Sequence, residues 1–190
     1  MKKFTLFLHT FLLAVSLSHA QSSDAMKELF RPAWKVGKVK VFDGHAVLRQ
    51  EGKNDYFGFT NILYTSHDQI KAAFEKRAQQ EMWTQEKKKE KMELLTEVKG
   101  GMITLYLGRR SIERANTKNF TVIVKDAKGD EILREELNPK VADRPDRAGS
   151  YWTNNSGIGF TKEVKMPLTV YVVDKLGPDD NKKTVFVIKN

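Results

Sequence analysis

Histidine is the side chain that most readily exchanges protons near neutral pH, and this chain has four. His9 and His19 lie in an apolar N-terminal stretch, which leaves His45 and His67 for chemistry in the body of the protein. His45 follows an Asp43-Gly44 pair, and His67 stands between Ser66 and Asp68 at the start of a helical pattern. Each therefore has a carboxylate nearby. The chemistry to consider is a His–carboxylate pair for hydrolysis, or a metal or small ligand carried on His45 with help from Asp43 or Asp68. Neither histidine sits in an H-E-x-x-H helix or another known ligand spacing. Turns and helix caps are also ordinary solvated places for His. No catalytic residue, metal or cofactor is expected.

Nucleophiles fare no better. The chain has no cysteine, which excludes thiol catalysis, Cys-ligated zinc and disulfides. Asn155-Ser156-Gly157 lacks the leading glycine of a G-x-S-x-G elbow. Gly100-Gly101 and Gly157-Ile158-Gly159 are isolated glycine turns, not a phosphate-cradling loop. Asp126, Asp130, Asp143 and Asp146 offer oxygen ligands of the kind calcium prefers. Lys125, Lys128, Arg144 and Arg147 are interleaved with them, which lowers the local negative potential.

Charge is the more tangible signal. Lys87, Lys88, Lys89 and Lys91 form one basic run, and Arg109, Arg110 and Arg114 a second. Facing the same way, they would make an anion-binding surface. Glu86, Glu90 and Glu93 neutralise part of the first run. The lysine run holds no aromatic for base stacking, so a nucleic-acid partner is not favoured. Tyr151-Trp152, followed by Thr153-Asn154-Asn155, could form a flat platform for sugars, although a Trp opening a strand more often packs in a core. The sequons at Asn119 and Asn154 are read as chance occurrences.

Several elements must position these groups. Asp43-Gly44 between β-rich runs predicts a hairpin within residues 34–48. Tyr56, Phe57, Phe59, Ile62, Leu63 and Tyr64 form a dense apolar patch, read as core. Ser66 with Gln69 is a capping-box pattern. Ile70, Ala73, Phe74, Ala78 and Met82 then recur at helical spacing and predict one buried face on a long helix to about residue 90. From Thr84 to Lys91 that face disappears, so the helix end must project into solvent, end, or meet a partner. Met92 to Val98 fits helix or strand.

From Met102 the period becomes two. Ile103, Leu105 and Leu107; Phe120, Val122 and Val124; Leu168, Val170 and Val172; and Val185 with Val187 each alternate with polar or aromatic neighbours. Turn residues at 126–130, 138–139 and 177–181 separate these runs. Tyr171, Val173, Phe186 and Ile188 make the other faces of the last two strands apolar too, which predicts central strands covered by the hairpin and helix.

Residues 1–20 have the three parts of a secretory signal. Lys2 and Lys3 lead an apolar run to Ser18, and Ser18-His19-Ala20 offers a small-residue cleavage site after Ala20. Removing that leader from the 190 residues lowers the net charge from +9 to +7. No later run is long and apolar enough to span a bilayer.

The sequence thus predicts an α+β protein: an immunoglobulin-like antiparallel β-sandwich over residues 101–190, packed against a β-hairpin and one long amphipathic helix over residues 21–100. The expected product is a periplasmic or secreted, non-enzymatic binding or assembly module of the bacterial cell envelope. Its expected partner is an envelope protein or anionic polymer. A carbohydrate-binding module or weak glycan hydrolase using Tyr151 and Trp152 is the alternative.

Overall fold

Alternation at period two does build strands here, and they assemble into two antiparallel sheets. In a computed structural model the described residues are 40–42, 45–49, 58–142, 144–145, 151–177 and 183–189. Among them β1 (Lys40–Phe42), β2 (His45–Arg49), β3 (Gly58–Thr65), β4 (Met102–Arg109), β8 (Trp152–Gly159) and β7 (Arg144–Pro145) lie side by side in that order. The second sheet has the order β10 (Lys183–Ile188), β9 (Leu168–Asp174), β5 (Phe120–Lys125), β6 (Glu131–Glu136). The leader, the cleavage position and Asp43-Gly44 lie outside the described residues. The hairpin itself is present, with Phe42 opposite His45 across two intervening residues.

One apolar cluster draws on both sheets. Ile62, Ile103, Leu105, Leu107 and Ile158 come from the first, and Phe120, Val122, Val124, Leu168, Val170, Val172, Phe186 and Ile188 from the second. At about 1.5–3 kcal/mol for each large side chain removed from water, this cluster dominates the stability. A smaller one joins Ile70, Phe74, Leu95, Val98 and Met102. β4 is therefore buried on both faces: Ile103, Leu105 and Leu107 point to the second sheet, while Met102 meets the helical layer.

The segment expected as one long helix is two shorter ones. α1 (His67–Gln80) opens with the predicted capping box, Ser66 accepting from the Gln69 amide and the Gln69 side chain accepting from the Ser66 amide. It ends at Glu81. Met82 then adopts φ +49°, a left-handed conformation that L side chains rarely enter. Trp83 turns back edge-on to Phe74, 6.1 Å between ring centroids, and donates its indole N–H to Glu81 at 2.7 Å. Thr84 restarts the chain by accepting from the Lys87 amide, and α2 (Gln85–Glu93) follows. Met82, expected on the buried face, is 87% exposed. Propensity favours a continuous helix, but burying Trp83 against Phe74 requires the reversal.

The ambiguous segment resolves towards helix. A 3-10 turn spans Leu94–Val98, burying Leu95 and Val98. Gly101 closes it with φ +85°, its amide donating to the Val98 carbonyl, and β4 begins at the next residue. The C-terminal strand reverses its expected faces. Thr184, Phe186 and Ile188 point inward, while Val185 and Val187 are 36% and 38% exposed. The expected pair of central strands is therefore half right: β9 lies inside its sheet and β10 at the edge. β1–β3 extend the first sheet edge to edge, leaving α1 and the 3-10 turn to cover only the Met102 end.

Candidate functional site

The lysine run sits on α2, a helix with no buried residue. At ~100° per residue, Glu86, Glu90 and Glu93 share one side of it, and Lys88, Lys91 and Met92 the opposite side. Exposure agrees: the three glutamates are exposed, while Lys88, Lys91 and Met92 are half-buried against the body. Lys87 lies beside Lys91, and Lys89 beside Glu93 at the edge of the glutamate side; both are exposed. Lys87 Nζ lies 4.9 Å from the Trp83 ring centroid and 3.9 Å from Glu81. The Trp83 indole and the Arg77 guanidinium hold the Glu81 carboxyl below its ordinary value. The outermost face of α2 is thus acidic, and Lys87, Lys88 and Lys91 skirt the side that meets the protein.

Beneath that side lies an open cleft of about 480 Å³. Leu95 and Met92 give it an apolar lining. Lys71, on the second turn of α1, and Lys99, after the 3-10 turn, add two cations; Glu163 adds one anion. His67 and Thr96 complete the lining. His67 Nδ1 stands 3.2 Å from the Val98 carbonyl oxygen. A carbonyl only accepts, so Nδ1 carries the proton and the Nε2 atom is left for other contacts. These residues are scattered between positions 67 and 163. Nothing in their spacing brings Glu163 to α1, which is why the sequence did not reveal the cleft.

The arginines do not join the lysines. Arg109 is 4% exposed. Its Nε donates to Asp174 at 2.9 Å, its Nη1 to the carbonyls of Phe59 and Gly108 at 2.6 and 2.8 Å, and its Nη2 to Thr60 Oγ1 at 2.9 Å. The guanidinium also lies 4.9 Å from the Phe120 ring centroid. It is an internal clamp, not a surface cation. Arg110 and Arg114 are exposed, but they follow the Arg109 end of β4, whereas α2 and the 3-10 turn pack at the Met102 end. Eight residues of strand separate the two ends by roughly 20–25 Å.

The aromatic pair is not a flat exposed platform. Trp152 is half-buried and packs against the main cluster, and Tyr151 packs edge-on to Phe59 at 5.9 Å between centroids. The side chain of His45, and Asp143 and Asp146, lie outside the described residues. Asp126 spends one carboxylate oxygen on its own turn, accepting from the amides of Lys128 and Asp130 at 2.8 and 3.0 Å. Among the described residues no group of three His, Cys, Asp or Glu side chains could hold a metal ion. No helix among them is long and apolar enough to cross a membrane. Comparison with protein-family models, with curated proteins and with solved structures finds no match.

Proposed function

We propose that this chain is an exported, non-enzymatic binding module of the bacterial cell envelope, meeting an anionic partner through the exposed lysines of α2. The observation that carries the proposal is the one-sided charge of α2. A short helix that buries nothing gains little from packing, yet Lys87, Lys88 and Lys91 lie together on the side away from Glu86, Glu90 and Glu93. Such segregation suits an electrostatic contact. Two antiparallel sheets sharing one apolar cluster support a β-sandwich, with immunoglobulin-like kept as a fold analogy. Export rests on the apolar leader ending at Ala20.

Retention on an immobilised polyanion tests the contact. Lys87→Glu with Lys89→Glu replaces two exposed cations, so the variant should elute at markedly lower salt than the parent. Binding should also weaken as added salt shortens the Debye length below about 8 Å. Unchanged, salt-insensitive retention would remove α2 from the interface.

A further inference from the structure

We propose that the cleft between α1 and the 3-10 turn binds a small amphipathic anion, a carboxylate or phosphate monoester on a short apolar chain. Its volume, about 480 Å³, falls within the ~300–1,000 Å³ usual for small-molecule sites. An apolar lining beside two cations is the signature such a ligand needs. Leu95 is fully packed from behind and fixed in place, and Met92 supplies an unbranched, polarizable side chain that adapts to an alkyl or aryl group. Lys71 and Lys99 outnumber Glu163, so the lining favours negative charge. His67 is oriented by the Val98 carbonyl, and Lys88 lies one helical turn before Met92 on the same side of α2. The headgroup sits between Lys71 and Lys99, the tail against Met92 and Leu95. A neutral polar ligand would leave the lysines without a counter-charge. A bare inorganic anion would leave the apolar lining wet.

The test is titration of the full chain with octanoate, octyl phosphate and neutral octyl glucoside, each below its micelle concentration, followed by NMR at the Met92 methyl and the His67 ring. At least one of the two anions should shift both signals saturably, the tighter of them identifying the headgroup. Octyl glucoside should bind at least about ten-fold more weakly. Lys71→Glu with Lys99→Glu replaces two exposed side chains, leaves the fold intact by circular dichroism, and should weaken the anion about ten-fold. Met92→Gln should weaken it through the tail. Lys87→Glu with Lys89→Glu should not change it, which separates this cleft from the polyanion contact of α2. Absence of saturable shifts with both anions, equal affinity for octyl glucoside, or indifference to the Lys71/Lys99 reversal would each overturn the proposal.

Discussion

Arg109 Nε and Asp174 Oδ2 lie 2.9 Å apart, joining the last residue of β4 in one sheet to the last residue of β9 in the other. Their side chains are only 5% and 12% exposed. Asp174 also accepts from the Leu176 amide at 3.0 Å, and Arg109 has three further acceptors, so both charges are compensated in place. The apolar cluster holds the two sheets together without direction. This pair fixes how they meet at one end.

Removing one partner from a buried, hydrogen-bonded pair leaves the other charge stranded. Arg109→Ala should therefore cost about 3–5 kcal/mol of unfolding free energy. Arg109→Lys should recover little of it, because an ammonium cannot reach a carboxylate, two carbonyls and a hydroxyl with one planar fork. Urea denaturation of the three proteins measures both. A loss below about 1 kcal/mol, the range of exposed pairs, would show that the clamp contributes nothing special.

Met82 makes the opposite case. Its φ of +49° costs roughly 1–2 kcal/mol in an L residue, and at 87% exposed its side chain returns almost no burial. Glycine avoids that strain, at about 0.5–1 kcal/mol of extra chain entropy lost on folding. Met82→Gly should therefore stabilise the protein by about 0.5–1 kcal/mol. A lower denaturation midpoint would mean that Met82 makes a contact its exposure does not suggest.

Local signals were legible in the sequence, and signals that depend on distant partners were not. Ser66 with Gln69 marks the start of α1 because every group in a capping box lies within four residues. Asp43-Gly44 marks the β1–β2 connection for the same reason. The break at Met82 was hidden, since only Phe74 packing against Trp83 reveals that the chain must turn. The inward face of β10 was ambiguous because Val185 and Val187 are as apolar as Phe186 and Ile188. Register with β9 decides which pair points inward, since Phe186 and Ile188 stand opposite Val170 and Leu168 of the main cluster. Arg109 looks like a neighbour of Arg110 in sequence, yet its partner lies 65 residues away. Lys71, Lys99 and Glu163 form a cleft for reasons no spacing encodes.

The cap provides a quantitative check on the local part. Ser66→Ala removes the hydroxyl that accepts from the Gln69 amide at 3.3 Å, while the Gln69 side chain keeps its bond from the backbone amide of residue 66. Such caps contribute typically about 1 kcal/mol. Because α1 is anchored by Ile70 and Phe74 in the smaller cluster, the loss should appear first as faster amide exchange over residues 67–70. Protection unchanged at those amides would show that tertiary packing alone sets the helix start.

Tyr106 links burial to pH. Register places it between Asn61 on β3 and Asn155 on β8 in one row across the first sheet. Burial disfavours its phenolate and pushes its pKa up to about 12; the half-buried Tyr64, which donates to the Gly100 carbonyl, is raised in the same direction. In the unfolded chain a phenol ionises near 10. Below pH 10 the phenol is neutral in both states and stability is unaffected. Between about 10 and 12 the unfolded chain releases the proton while the folded protein retains it, so stability falls by roughly 1.4 kcal/mol per pH unit for such a group. Tyr106→Phe should flatten that decline without changing its onset, and adding Tyr64→Phe should flatten it further. Urea midpoints at pH 9, 10 and 11 for the three proteins are sufficient. If the parent and Tyr106→Phe lose stability in parallel, Tyr106 has no part in the alkaline sensitivity.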